Sequence, residues 1–538
     1  FLLFGTFQLN QFFPPKVLYF PENRPNYINV FIELPVGTDI EETNRFTKKL
    51  EESINDILFE YRDIIESIVS YVGKRTLNVN DPSVFSMRDS PNRAKININF
   101  FEFEKRNGIN TIDVLEKLRK NMERFPGVSI TLGKDRKGPP VGGEISIEVT
   151  GPEFKVLISQ VEKIRKHINE SNIPGIEKLV LDLSTRKPEL LIDFDRDKLR
   201  RYGLSTGMLA NELRTSLFGK EISKYKVGED DFKIQLRLQD EYRYDIDALM
   251  NKNITFRNQS NGMTYQVPIS SFASMKMSNT FSSVKRKDLD KVITISSNVI
   301  SGYNPTEVNS KIDMVLKKVP LPNGYSYKFG GEQQEQEEEM AFLSNAFMIA
   351  LFLVFIIIVA QFNKIITPLI IMSSIILSTI GVFLGLFIFN MDFVVVMTMI
   401  GIISLIGIVV NNAIVLIDFI ELNRKRKLIS KKSDLSLDDI IFCISEAGKT
   451  RLRPVILTAL TTILGLMPLA IGMNFDFVKF FNSYQLSFYL GGDNMVFFGP
   501  IAWAIIFGLT FATFLTLLVI PSMYLIQVKI NRFFGLSK

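Results

Sequence analysis

The chain has 538 residues, 46% hydrophobic and 22% charged, with a net charge of +6 and a sequence pI near 9.0. A basic balance can signal nucleic acid, but many of these cations flank apolar stretches and +6 is small for this length, so no nucleic acid is expected as a partner. One cysteine, Cys443, excludes an intrachain disulfide.

The first stretch, Phe1–Phe13, is apolar but shorter than the ~20 residues that cross a bilayer as helix. It has no basic segment before it and no small-residue cleavage site after it, so it is not a signal peptide. It is expected to be the end of a longer span, residues 1–13. Tyr27–Leu34 reads as a strand, and Thr38-Asp39-Ile40-Glu41 has the capping-box pattern that opens a helix, here to about Leu58. Strands at Ile64–Val72 and Ala94–Phe103, a helix over Thr111–Phe125 and a strand at Val128–Leu132 complete the order β-α-β-β-α-β. That is the ferredoxin-like split unit.

The order then recurs. Glu144–Thr150 reads as a strand, Glu153–Asn169 as a helix and Ile176–Leu183 as a strand. After an insertion, roughly Lys187–Asp288, come a strand at Val292–Val299, a helix capped by Asn304 with Pro305 at its first position, and a strand at Tyr325–Phe329. The expected organisation is a first α/β subdomain over 14–136, a second split between 137–186 and 289–331, and an insertion over 187–288. Clefts form where such units meet, which points to a hinged vestibule and away from a metabolic enzyme. No Gly-rich phosphate loop, Cys/His cluster or nucleophile elbow is present, so neither cofactor nor metal is expected. The sole histidine, His167, sits on a helix among charged residues and reads as solvated.

The remainder, 332–538, carries five apolar stretches at about Met340–Phe362, Ile366–Phe389, Phe393–Ile420, Leu452–Met473 and Met495–Ile526. Each is long enough to span ~30 Å of hydrocarbon, where a helix is the one single-segment solution for backbone hydrogen bonding. Arg424, Lys425, Arg426, Lys427, Lys431 and Lys432 place the loop after the third span in the cytoplasm. Alternation then puts Asn363–Lys364 and the C-terminal tail inside, and Pro14–Glu339 outside. Gly381 and Gly385 in the second span form a GxxxG pair for close helix approach. Prolines 368, 454, 468, 500 and 521 fall mostly near span ends.

Two segments carry a family resemblance: Gly407-Ile-Val-Val-Asn-Asn-Ala-Ile-Val-Leu-Ile-Asp418 in the third span and Arg451-Leu-Arg-Pro-Val-Ile-Leu-Thr458 opening the fourth. Leu34-Pro-Val-Gly-Thr38 and Gly330-Gly-Glu-Gln-Gln-Glu335 add support. With these the chain resembles the C-terminal half of the RND (resistance–nodulation–division) exporters, in their hydrophobe/amphiphile efflux branch. The resemblance implies two porter subdomains, the second interrupted by a docking insertion, and a proton/substrate antiporter of the bacterial inner membrane with a large periplasmic domain. It also implies the N-terminal half of the same transporter as partner, a homotrimer, a periplasmic adaptor and an outer-membrane channel.

The resemblance implies, further, a polar proton relay between spans of the two halves. Asn411 falls where many drug-exporting members carry a lysine, and Asn412 matches the family's following asparagine; Arg451 and Thr458 match relay-associated positions. Asn cannot exchange charge with an aspartate, so a specialised scaffold that kept the fold and lost coupling stays open beside the exporter. Plainer roles exist for each: interhelical hydrogen bonds for Asn411 and Asn412, a bond from Thr458 to the Pro454 carbonyl, and interfacial anchoring for Arg451. Asp418, near the cytoplasmic end of its span, reads as solvated. For the substrate, Lys74 and Arg75 occupy the stretch where relatives line the porter pocket, with Phe100 and Phe101 nearby. The two cations suggest anionic amphiphiles, while strand packing also explains the aromatics. Met87 and Met122 are isolated, and the third-span centre lacks an acidic residue, which argues against metal export.

Overall fold

The computed structural model describes residue 5 and residues 16–21, 24–74, 76, 90–106, 108–122, 125, 127–134, 142–183, 187–257, 262–280, 284–300, 302–431, 435–475, 477–484 and 488–533. The expected span end at Phe1–Phe13 lies, Gly5 apart, outside them. Helices of twelve residues or more are numbered here.

After β1 (Val17–Leu18), a four-stranded antiparallel sheet forms from β2 (Tyr27–Glu33), β3 (Ile65–Val72), β4 (Arg93–Phe100) and β5 (Ser129–Lys134), in the spatial order β3-β4-β2-β5. Period-2 alternation buries Ile28, Val30 and Ile32 of β2 with Ala94, Ile96, Ile98 and Phe100 of β4. Against this face lie α1 (Ile40–Ile57), through Leu50 and Ile54, and α2 (Thr111–Met122), through Val114, Leu115, Leu118 and Met122. Met122 is thus a packing residue, while Met87 lies outside the described residues. The expected capping box at Thr38 gives way to a cap one residue later. Asp39 accepts from the Ile40 amide at 2.8 Å, and the Thr38 hydroxyl donates instead to Pro35 O at 2.7 Å.

A second sheet joins β6 (Ile145–Gly151), β7 (Val180–Leu181), β14 (Lys285–Lys287), β15 (Asp290–Ser297) and β16 (Ser326–Phe329). Its order is β14-β15-β6-β16, with β7 also on β15. α3 (Phe154–Glu170) buries Leu157, Val161, Ile164 and Ile168, and α5 (Pro305–Leu316) buries Val308, Ile312 and Leu316, with Asn304 capping the latter. Arg119 ties the two sheets together. Its Nε donates to Glu177 Oε1 at 3.0 Å, and Asn298 Nδ2 donates to Glu177 Oε2 at 2.9 Å.

Leu183–Ser283 forms a compact unit of its own. It pairs β8 (Lys187–Phe194) with β13 (Ala273–Thr280), β9 (Lys220–Val227) with β10 (Asp230–Leu236), and β11 (Asn253–Arg257) with β12 (Thr264–Pro268). Leu199, Leu204, Phe256 and Phe272 form its core with Leu209 of α4 (Thr206–Phe218).

Five helices are long and apolar enough to cross a membrane: α6 (Gly331–Phe362), α7 (Ile366–Ile388), α8 (Val395–Lys431), α9 (Leu437–Ile471) and α10 (Asp493–Phe533). Four of them, α6, α8, α9 and α10, outrun their apolar stretches by many residues, so Pro454 of α9 and Pro500 and Pro521 of α10 lie well inside helices, while Pro468 stays near the C-terminal end of α9. The glycine pair acts as packing predicts. A Cβ added at Gly381 would lie 2.4 Å from Phe511 Cβ, and one at Gly385 only 2.2 Å from Phe507 Cγ, so α7 and α10 meet nearly backbone to backbone. Just before α8, β17 (Phe393–Val394) pairs in parallel with β1, and β18 (Met473–Phe475) pairs with β19 (Phe488–Leu490) between α9 and α10.

Candidate functional site

In the bundle, α8 and α9 bring the two motif segments side by side. Consecutive residues of a helix point ~100° apart, so Asn411 and Asn412 cannot both face α9. Asn412 does: its Oδ1 accepts from Thr458 Oγ1 at 3.4 Å. Asn411 is exposed on this chain, in line with the exposed Ser404, Gly407 and Asp418 at three-, four- and seven-residue spacing. On α9, Thr458, Thr461 and Gly465 are exposed beside the half-buried Thr462. The three hydroxyls also donate to carbonyls of their own helix. For Thr458 the acceptor is Val455 O at 2.9 Å, three residues back, rather than the expected Pro454 carbonyl.

Arg451 shares the Thr458 side of α9 but lies seven residues, about 10 Å of helix, towards the N-terminus. Its guanidinium carbon stands 4.4 Å from the centroid of the Phe419 ring. The buried Nε has no hydrogen-bond partner among the described residues. Asn412 and Thr458 thus form a polar seam between α8 and α9, with Asn411 exposed on the adjoining side of α8 and Arg451 over an aromatic ring towards the start of α9. Acting alone, the seam has hydrogen-bond capacity but no ionisable group between Arg451 and Asp418; it can relay a proton only opposite a partner that titrates.

The four candidate substrate residues do not converge. Val72 pairs with Ala94 and Ile65 pairs with Phe100, so Lys74, just past Val72, lies at the opposite end of the strand pair from Phe100, about 20 Å away at strand rise. Arg75 lies outside the described residues. Phe100 is buried in the core and Phe101 is half-buried; both touch a cavity of about 560 Å³. Its other walls include Glu66, Phe103, Arg106, Tyr489 and Asp493, so it lies between the base of the first sheet and the loop leading into α10.

This junction also holds residues that the sequence did not single out. Tyr19 is buried beside the start of α6; burial first, then the carboxylates of Glu339, Glu335 and Glu332, push its phenol up to about 12. Arg106, in a charged Phe103–Arg106 turn that reads as an ordinary solvated loop, is 2% exposed. The apolar run Val17–Phe20 was a local signal for Tyr19, whereas no local pattern announces the burial of Arg106.

A multi-span α-helical bundle carrying two α/β sheets, with a polar seam exposed along otherwise apolar helices, is the architecture of a membrane transporter. The family model for AcrB/AcrD/AcrF matches residues 2–475, and the chain belongs to this family of RND efflux transporters. It is 27% identical over 384 residues to the cobalt-zinc-cadmium resistance protein CzcA of Cupriavidus metallidurans, covering 71% of this chain and 33% of that protein. Similarity to the swarming motility protein SwrC of Bacillus subtilis is 27% over 425 residues, 78% of this chain and 36% of the relative. The multidrug resistance protein MdtC of Escherichia coli is 26% identical over 418 residues, 77% and 37% respectively. Two crystal forms of a heavy metal efflux pump share the fold, with a TM-score of 0.73 and 20% or 21% identity, over 97% or 98% of this chain and 48% or 49% of theirs. The chain therefore spans about a third of the length of these curated relatives and half that of the solved pump.

Proposed function

We propose that the chain supplies the C-terminal half of a proton-driven exporter. The pump moves hydrophobic or amphiphilic small molecules from the periplasm or inner membrane towards an outer-membrane channel. The polar seam carries this reading. Asn411, Ser404 and Thr458 are exposed on this chain along apolar helices, and polar groups facing hydrocarbon are costly. A companion half with acidic side chains is the cover that also makes the seam useful, with Asn411, Asn412, Thr458 and Arg451 as its polar counterpart. Asn411 then serves as a neutral hydrogen-bonding partner where a lysine would serve as a charge. Each elementary charge crossing ~100 mV releases about 2.3 kcal/mol, the scale on which several helices can be shifted together.

In this reading the two sheets, each with its strands in the spatial order second-third-first-fourth, are ferredoxin-like porter subdomains over 14–136 and 137–186 with 289–331. The insertion 187–288 is a docking domain, and the α/β part faces the periplasm. A homotrimer with a periplasmic adaptor and an outer-membrane channel completes the conduit. The names of CzcA and of the solved pump favour a second reading, export of divalent metal cations by the same machinery.

The test is efflux from cells making the full-length protein, with an amphiphilic dye and with Zn²⁺ or Co²⁺, each with and without a protonophore. Dye efflux that collapses with the protonophore is the expected result. Metal efflux without dye efflux would establish the second reading, and no protonophore-sensitive flux of either would leave a membrane scaffold.

A further inference from the structure

Arg106 presents a physical problem: a guanidinium with five donors and a full charge, 2% exposed, at the base of the first sheet. A buried charge is tolerated when it is hydrogen-bonded and answered by an opposite charge. Arg106 Nε donates to Phe101 O at 2.5 Å, Nη2 to Asn26 Oδ1 at 2.5 Å, and Nη1 reaches Pro25 O at 3.5 Å. Asn26 passes the interaction on, because its Nδ2 donates to Asp493 Oδ2 at 2.8 Å. Arginine only donates and a carboxylate only accepts, so the amide has one orientation that serves both. The cation and the anion are joined through one amide dipole.

The three residues belong to segments far apart in the chain. Asn26 immediately precedes β2, Arg106 ends the turn after β4, and Asp493 is the first residue of α10. The cavity of about 560 Å³ is lined from both the sheet base and the loop, and Phe103 is set against Tyr489 at 6.3 Å between centroids. A Cβ at Gly491, whose φ is +99°, would come within 3.2 Å of Phe103. Upstream, Phe20 stacks on Phe497 of α10 at 6.1 Å. Ring contacts and a charged relay are thus among the contacts by which the first α/β unit rests on the start of α10.

We propose that Arg106 is a positioning residue which, through Asn26, fixes the first α/β unit to the first residue of α10, so that movement of this helix is passed to that unit. The coupling rests on the exporter reading; the tie itself does not. In the relay the Asn26–Asp493 bond is the leg that crosses between the two parts, while the Arg106–Asn26 leg lies within the α/β unit.

The decisive variant is therefore Asp493→Ala in the full-length protein, which cuts the crossing leg and leaves Arg106 its other acceptors. Arg106→Lys is the companion, since Arg106→Ala risks misfolding. Two readouts are needed. One is the ratio of transported substrate to protons moved in proteoliposomes. The other is the distance distribution between spin labels at Phe59→Cys and Phe498→Cys, both exposed positions, on a Cys443→Ser background.

For Asp493→Ala, substrate transport should fall at least tenfold while proton flux changes less than threefold, and the label distance should broaden. Arg106→Lys should fall between wild type and Asp493→Ala on both readouts. Asn26→Ala combined with Asp493→Ala should be no worse than either alone. An unchanged label distance overturns the tie. A broadened distance with an unchanged transport ratio overturns the coupling and leaves a brace. If wild type shows no protonophore-sensitive flux yet the distance broadens in Asp493→Ala, the tie stands and the exporter reading falls.

Discussion

Three of the membrane helices differ from the other two in what this chain does with their surfaces. In the apolar windows of α7, α8 and α10, 56%, 50% and 50% of residues are buried, against 11% in α6 and 17% in α9. The inner three meet through small residues, Gly381 and Gly385 on one side and Gly401 and Gly508 on others, where any Cβ would collide with a neighbouring helix. The outer two present long faces. That of α6 is apolar, with Phe342, Met348, Phe352 and Ile356 exposed, as suits lipid. The exposed surface of α9 mixes apolar residues such as Leu457 and Leu460 with Thr458 and Thr461, and Thr458 reaches Asn412 of α8, which also exposes Asn411. Low burial thus has two meanings here, and chemistry separates them: an apolar face is finished in a bilayer, whereas a polar one awaits polypeptide.

The largest expected effect falls on the inner three. Gly385→Val drives methyl groups into the Phe507 ring, against which even a lone Cβ stands at 2.2 Å. It should cost about 3 kcal/mol or more and remove most folded protein, as read by size-exclusion yield and thermal unfolding. A variant that folds normally would break the distinction between packed and presented helices.

Next comes the seam. Asn411→Leu removes an exposed amide and no contact that holds the bundle together, so the melting temperature should move by less than about 2 °C. Protonophore-sensitive export should fall at least tenfold. Ile356→Ala on the apolar face of α6 should change export by less than twofold. Equal effects of the two would erase the difference between the faces.

A smaller effect is expected between the C-terminal parts of α8 and α10, where Arg424 Nη1 donates to Tyr524 Oη at 2.7 Å. Tyr524→Phe should cost about 1 kcal/mol, measured by thermal unfolding, with export capacity retained.

The smallest concerns pH. Tyr19 has its phenol raised from 10.0 to about 12, so the folded state holds its proton more tightly than the unfolded chain. Its contribution to stability is complete below pH 10, declines above it and is gone near pH 12. Tyr19→Phe should flatten that alkaline decline in melting temperature, and an unchanged slope would remove Tyr19 from the account.

Much of this molecule is written in local pattern. Alternation marks Tyr27–Glu33 and Arg93–Phe100, helical spacing marks Leu50 and Ile54 of α1, and continuous apolarity marks the five long helices, because each signal is complete within one segment. The two motif segments were equally legible, and they carried the family. The sequence by itself therefore determined the elements, the membrane character and the helices that hold the seam. Tertiary structure alone decided which of two adjacent asparagines meets Thr458, that Lys74 and Phe100 stand at opposite ends of a strand pair, and that Arg106 is buried against Asn26 within reach of Asp493. These facts depend on side-chain direction and on partners up to 467 residues apart. A contact between distant segments leaves no period in either of them, so it exists only once the chain has folded.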